Sequence, residues 1–141
     1  MSEPLKFTYE VSGQNFAAAG EASMQIKKEL RALGFSPDII RKVSIAMYEG
    51  EINMVIHAGG GEAVILVCPE LIEITLTDHG PGIADISLAM QAGYSTAPDN
   101  IRSLGFGAGM GLPNMKKYTD DMRIVSALGE GTTVIMKVNV T

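Results

Sequence analysis

Cysteine occurs once, at Cys68, so the sequence holds neither a disulfide framework nor a cysteine-based metal site. A buried, inert thiol is the expected state of that side chain. Positive charge is also scarce: 11 Lys plus Arg stand against 16 Asp plus Glu, a formal net charge of -5. Both halves are mildly acidic, so no basic face advertises a polyanion, and direct nucleic-acid binding is not expected. No uninterrupted apolar run is long enough to span a bilayer. The N-terminal Met1-Ser2-Glu3-Pro4-Leu5-Lys6 is mixed and polar, without a basic region leading into an apolar one. The expected location is the cytoplasm, with no membrane partner. Internal repeats, linkers and low-complexity tracts are missing too. At 141 residues the chain has the length of one domain, 1–141, able to bury an ordinary core.

What is present reads as strands, helices and glycine-rich turns. Leu5 to Val11 alternates apolar and polar residues as a half-buried strand does. Asn15 is a candidate cap for a helix reaching Leu33, with Ala18, Ala22, Ile26, Leu30 and Leu33 at three- and four-residue steps and Gly34 closing it. Ser36 and Pro37 open a second helix that continues to about His57, where Gly59, Gly60 and Gly61 stop it. Ala63 to Cys68 and Leu71 to Thr77 form a hairpin across Pro69-Glu70. Met122 to Ser126 and Thr132 to Val140 form another across Gly129-Glu130-Gly131. Between the hairpins, Ala84 to Asn100 has the composition of a mobile loop or lid, and a helix is expected from about Leu112 to Asp121. Two hairpins do not suit a doubly wound parallel sheet. The expected class is α+β, a two-layer α/β sandwich with a mixed, mostly antiparallel sheet and helices on one face.

Three groups of residues carry candidate chemistry. On the second helix, at about 100° per residue, Ile39, Val43, Met47, Gly50 and Met54 form one apolar stripe and Ile45, Ile52 and Ile56 a second. Glu49 and Asn53 lie between them, one turn apart. A carboxylate at a packed surface needs a reason; here it can take a proton or orient water, and the Asn53 amide oxygen can help hold Mg²⁺. Glu51 is rotated about 160° from Glu49 and cannot share that site. His57, one turn beyond Asn53, reads more simply as a partner of the helix C-terminus.

The second group is Asp78 with Gly80, Gly82 and Ile83, where an apolar strand ends in a carboxylate followed by turn glycines. The carboxylate can accept a hydrogen bond from an exocyclic amine such as that of adenine, but taken alone it also reads as a turn-initiating Asp. The third is the run Gly105, Gly107, Gly109, Met110, Gly111, Leu112, which opens a helix. Its backbone N–H groups suit phosphate, and it fits neither the dinucleotide fingerprint nor the P-loop spacing; alone it could equally be a flexible loop. The nine methionines read as core filler rather than as a soft binding groove.

In this order the pieces resemble the GHKL ATPase superfamily, and more narrowly the small bacterial anti-sigma-factor and switch serine kinases. Glu49-x-x-x-Asn53 matches the family's N box, Asp78-x-Gly80-x-Gly82 its first glycine box and Gly107-x-Gly109-x-Gly111-Leu112 its second, while Gly129-x-Gly131-Thr132 resembles the later glycine–threonine element. The resemblance implies a Bergerat-type ATP-binding fold in which Glu49 activates the attacking hydroxyl or water, Asn53 coordinates Mg²⁺ and Asp78 binds the adenine amino group. Gly80, Gly82, Ile83, the Gly105–Gly111 run, Met110, Leu112 and Thr132 complete the implied ATP pocket. Met90 to Thr96, with the extended glycine run, looks closer to the switch-kinase branch. Arg102 lies where some relatives place a lid arginine, at a different spacing from the glycines, and Gly50 costs roughly 1 kcal/mol of helix propensity beside Glu49 and is expected to loosen that turn.

The implied activity is an ATP- and Mg²⁺-dependent protein serine/threonine kinase that regulates transcription by partner switching. It would phosphorylate a serine on a STAS-type antagonist and bind a sigma factor or a phosphatase; a homodimer stays open. The alternatives are a nucleotide-gated binding module without phosphoryl transfer and a simple ATP hydrolase.

Overall fold

Five alternating segments form strands: β1 (Leu5–Ser12), β2 (Gly60–Val67), β3 (Leu71–Asp78), β4 (Asp121–Ala127) and β5 (Gly131–Asn139). Among the described residues three helices accompany them, α1 (Glu21–Ala32), α2 (Pro37–Ala58) and α3 (Gly111–Lys117). The computed structural model describes residues 4–12, 20–80, 111–127 and 129–140. The strands make one sheet of order β1-β2-β3-β5-β4. All four pairings are antiparallel, in line with the mostly antiparallel sheet expected from the sequence.

Period-two alternation decides which face is covered. Ala63, Ile65 and Val67 on β2, Ile72, Ile74 and Leu76 on β3, and Val134, Met136 and Val138 on β5 are buried together with Ile26, Leu30, Val43 and Met47 from the helices. The helices therefore lie on that one face, with α2 against β1, β2, β3 and β5 and flanked by α1 and α3. The α+β sandwich expected from the sequence is the observed architecture.

The second helix follows its sequence signals closely. The Ser36 side chain accepts from the Ile39 N–H at 3.3 Å, Pro37 occupies the first turn, and Gly59 ends the helix at φ 73°. Ile39, Val43, Met47, Gly50 and Met54 are all buried; of the second stripe, Ile52 is buried and Ile45 half-buried. Met47, Met54, Met115 and Met136 fill the core, whereas Met24 is exposed.

Other expectations change. The first helix starts at Glu21 behind Gly20, which sits at φ 100° and has no side-chain cap of its own; Asn15 and Ala18 lie outside the described residues. Leu33 is the exposed C-cap rather than a core position. β2 begins at Gly60, pairing with Ser12, three residues before the apolar run that signalled it. The last helix stops at Lys117 because Asp121 already pairs with Lys137 in the sheet, and Thr119 closes the turn with its hydroxyl on the Met115 carbonyl at 2.8 Å. Cys68 is half-buried rather than sequestered.

Gly50 does not loosen α2, which runs through it without a break. A Cβ there would overlap Leu76 Cδ1 and lie 3.4 Å from Met115 Cε, so the glycine lets α2 settle onto β3 and α3. Gly50→Ala gains about 1 kcal/mol of helix propensity but overpacks the contact, at a cost of about 1–3 kcal/mol. The expected net result in urea denaturation is a loss of up to about 2 kcal/mol. A stabilised variant would mean that Leu76 simply swings aside.

Candidate functional site

Two anchored carboxylates stand on the helix-covered face of the sheet. Asp78 continues the parity of Ile72, Ile74 and Leu76, so its side chain leaves β3 toward the helices. Its Oδ1 accepts from the Gly80 N–H at 3.0 Å and from the Thr132 N–H at 3.1 Å. Two donors on one oxygen fix the group, and among the described residues Oδ2 has no protein partner.

Neighbouring backbone must come close for this to occur. Gly61 is the cross-strand partner of Asp78, and a Cβ on it would overlap the Thr77 carbonyl and lie 2.9 Å from Met54 Sδ. Gly131, at φ 99°, lies so near that a Cβ would overlap the Asp78 carbonyl oxygen. Gly80 lies against Ala58, 2.6 Å from its Cα on the same reckoning. The Ser126 hydroxyl donates to the Gly131 carbonyl at 3.1 Å and lies 2.8 Å from Thr132 Oγ1, which holds the β4–β5 turn beside Asp78. Thr132, which the sequence assigned to the ligand, also orients Asp78 through its backbone N–H.

Glu49 projects from α2 where that helix meets α3. Its carboxylate is half-buried, and Oε1 accepts from Asn114 Nδ2 at 3.4 Å. Burial raises its pKa above the ordinary value of 4.5, and the Asn114 hydrogen bond opposes that rise. One turn along, Asn53 directs Nδ2 to Met115 Sδ at 3.9 Å, which leaves its amide oxygen without a protein partner among the described residues. Gly50, next to Glu49, rests on Leu76, two residues before Asp78. The two carboxylates thus belong to one stretch of the α2–β3 contact. Leu112 is half-buried at the start of α3, beside Gly111.

Gly82, Ile83, Gly105, Gly107, Gly109 and Met110 lie outside the described residues, as do Ala84 to Asn100 and Arg102. His57 belongs to α2, its side chain likewise outside them.

Two residues to which the sequence reading gave no role make long-range hydrogen bonds. Asn114 meets Glu49 across 65 positions of chain, a contact that no spacing rule could expose. Its only local cue is an amide in the first turn of α3, next to the apolar Met115. Glu51, set aside because it faces away from Glu49, is one of the most buried side chains in the protein. Its Oε2 accepts from the N–H groups of Gly20 at 2.8 Å and Ala22 at 3.2 Å, and its Oε1 from that of Ser23 at 2.8 Å. The carboxylate of α2 thus caps the start of α1.

Known proteins resemble this chain in sequence and in fold. The model of the histidine kinase-like ATPase domain matches residues 14–138. An anti-sigma F factor of Clostridium acetobutylicum is 33% identical over 138 residues, covering 94% of this chain and 90% of that protein. The serine/threonine-protein kinase RsbT of Bacillus subtilis is 31% identical over 124 residues, covering 85% of each. Among solved structures, the RsbU and RsbW domains of Rv1364c from Mycobacterium tuberculosis superpose with a TM-score of 0.62 at 17% identity, over 95% of this chain and 32% of that longer one. The mycobacterial sensor histidine kinase MprB gives a TM-score of 0.54 at 16% identity, over 96% and 97%. At those identities the structural likenesses speak to the fold.

Proposed function

Because the chain belongs to the histidine kinase-like ATPase domain family, we propose that it is an ATP-dependent protein serine/threonine kinase acting as a partner-switching regulator of a sigma factor or its antagonist. The relatives named anti-sigma F factor and serine/threonine-protein kinase support that reading. The observation that carries the chemistry is the Glu49 carboxylate, half-buried, with one oxygen held by Asn114 and the other without a protein partner among the described residues. Phosphoryl transfer asks little covalent chemistry of a protein and depends on positioning and charge.

In this reading Glu49 Oε2 takes the proton of the acceptor serine as the serine oxygen bonds to the terminal phosphorus and the bond from that phosphorus to ADP breaks. Asp78 Oδ2 accepts from the adenine amino group, while Gly80 and Thr132 keep the carboxylate from turning. Gly82, Ile83, the glycines at 105, 107, 109 and 111, Met110 and Leu112 are assigned to the remainder of the pocket. The free amide oxygen of Asn53 fits Mg²⁺, a cation that takes few protein ligands when phosphates supply the others. No cluster of three or more His, Cys, Asp or Glu side chains occurs among the described residues, so the donor set suits a metal that arrives with the nucleotide. When bound, Mg²⁺ would offset charge on the phosphates. The proposed acceptor is a STAS-type antagonist, with a sigma factor or phosphatase as the competing partner. Among the described residues no helix is long and apolar enough to cross a membrane.

Incubation with Mg²⁺ and terminally labelled ATP beside candidate STAS proteins tests the assignment. Label on a serine of the partner supports the kinase. ATP-dependent binding without label would replace it by a nucleotide-gated docking module, and steady phosphate release without an acceptor by a hydrolase.

The adenine contact has its own check. Asp78→Asn keeps the shape and the doubly accepting oxygen but turns an amide donor toward the adenine amine. A charge-assisted hydrogen bond contributes about 1.5–3 kcal/mol, so calorimetric titration with Mg²⁺–ATP should show affinity lower by roughly 10- to 100-fold. Undiminished affinity would remove Asp78 from the pocket.

A further inference from the structure

Consecutive residues of α3 meet both members of the Glu49–Asn53 pair. Asn114 Nδ2 donates to Glu49 Oε1 at 3.4 Å, and Asn53 Nδ2 points at Met115 Sδ at 3.9 Å. Residues one turn apart on α2 are thus matched by adjacent residues on α3, which fixes the register of the two helices at the site. The short helix is itself secured: Met115 is 1% exposed in the core, and its carbonyl accepts the Thr119 hydroxyl at 2.8 Å. The Asn114 amide is therefore mounted on a rigid support rather than on a loop.

We propose that Asn114 is a positioning residue for Glu49: it holds one carboxylate oxygen and leaves the other to receive the acceptor proton. The inference rests on the kinase reading for the role of Glu49, while the contact stands independently of it. A carboxylate with both oxygens free rotates about its last bond. Held at Oε1, it presents Oε2 in one direction, and its ionised form is favoured by the donated hydrogen bond.

No other charged group competes for this role among the described residues. Glu51 of the same helix is engaged at the start of α1, and Lys42 pairs with Asp38 at 3.2 Å near the opposite end. Lys116 and Lys117 of α3 and Arg41 of α2 are exposed, Lys117 and Arg41 lying over the Tyr118 ring. On α1, Glu21, Lys27, Lys28, Glu29 and Arg31 are exposed. Asp78 of β3 is occupied by Gly80 and Thr132, and the parity of β1, β2, β3 and β5 puts Lys6, Glu10, Glu62, Glu73 and Lys137 on the uncovered face of the sheet. Burial and the Asn114 amide are the influences acting on the Glu49 carboxyl.

The deciding experiment is a carboxyl-carbon NMR titration of Glu49, without nucleotide, in wild type, Asn114→Ala and the equally sized Asn114→Asp. The Glu49 midpoint should move to higher pH in Asn114→Ala and further in Asn114→Asp, which adds a like charge. An unmoved midpoint in both variants would overturn the proposal. Transfer rates then test the consequence: Asn114→Ala should lose roughly tenfold in kcat with little change in KM for ATP, and combined with Glu49→Gln it should be no slower than Glu49→Gln alone. Additive losses would mean that Asn114 acts elsewhere. A wild-type protein that transfers no label would overturn the kinase reading, and the titration would still decide whether Asn114 sets the state of Glu49.

Discussion

Glu49→Gln is expected to lower phosphoryl transfer to the partner by roughly 10²- to 10⁴-fold, the usual contribution of a positioned general base, while ATP binding stays close to wild type. The amide oxygen of Gln keeps the hydrogen bond from Asn114, so the α2–α3 junction is preserved. What is lost is a group able to take the serine proton at neutral pH. Adenine recognition is assigned to Asp78, on a different element, and should be untouched. Single-turnover transfer paired with calorimetric ATP titration separates the two properties. Transfer at the wild-type rate would show that Glu49 is not the base, whatever the affinity.

The pH dependence of the wild type follows from the same carboxyl. Its pKa is raised, chiefly by burial, and a base must be ionised to act. Transfer should therefore fall on the acid side at a pH above the ordinary Glu range, and that limb should be absent from whatever residual rate Glu49→Gln retains. Stability runs the other way. A carboxyl whose pKa is higher folded than unfolded favours folding most below its unfolded value, and that contribution is lost as pH rises through the folded value. At neutral pH the folded protein thus carries an ionised group it would rather protonate. Glu49→Gln removes that burden, so relative to wild type it should gain stability as pH rises from the unfolded pKa through the folded one. A residue whose replacement impairs turnover and relieves the fold is there for its chemistry.

How legible this was from sequence differed from element to element, for physical reasons. α2 could be read closely because its signals are local: a serine cap, a proline in the first turn, a stripe at helical period and a terminal glycine all act within a turn of where they are written. Asp78 could be placed because period-two alternation carries it onto the covered face. The start of β2 could not, since Gly60 and Gly61 resemble a helix stop and become strand only through Ser12, Val11 and Asp78 on the strands to either side. Gly50 read as a defect until Leu76 was seen beneath it. Asn114 and Glu51 carry no periodic or motif signal at all, because their partners lie 65 and 28 to 31 residues away. Local chemistry was readable; long-range hydrogen bonding was not.

That last case yields the largest expected effect on stability. The first turn of a helix leaves backbone N–H groups without intrahelical partners, and α1 begins at a glycine that supplies no side-chain acceptor. The residues concerned, Gly20, Ala22 and Ser23, are buried, so water is a poor substitute. Glu51 meets three of those donors at once, and Ser23 adds a hydroxyl bond back to the Gly20 carbonyl at 2.8 Å. Taking a charge out of water is expensive, yet a carboxylate with three N–H donors and the positive end of a helix dipole is well compensated. Glu51→Ala removes the acceptor and leaves donors and a cavity behind. Buried donors left unpaired cost about 1–3 kcal/mol each and are not additive, so the expected loss in urea denaturation is about 3–5 kcal/mol, as for other broken buried charge contacts. Glu51→Gln should lose less, because one amide oxygen still accepts while its NH₂ opposes the remaining donors. Because Glu51 is the link between α2 and the beginning of α1, hydrogen exchange at the Ala22 and Ser23 amides should rise more in Glu51→Ala than exchange in the β2–β3 ladder. Uniform acceleration across both regions would mean that the carboxylate stabilises the whole fold without a specific hold on α1.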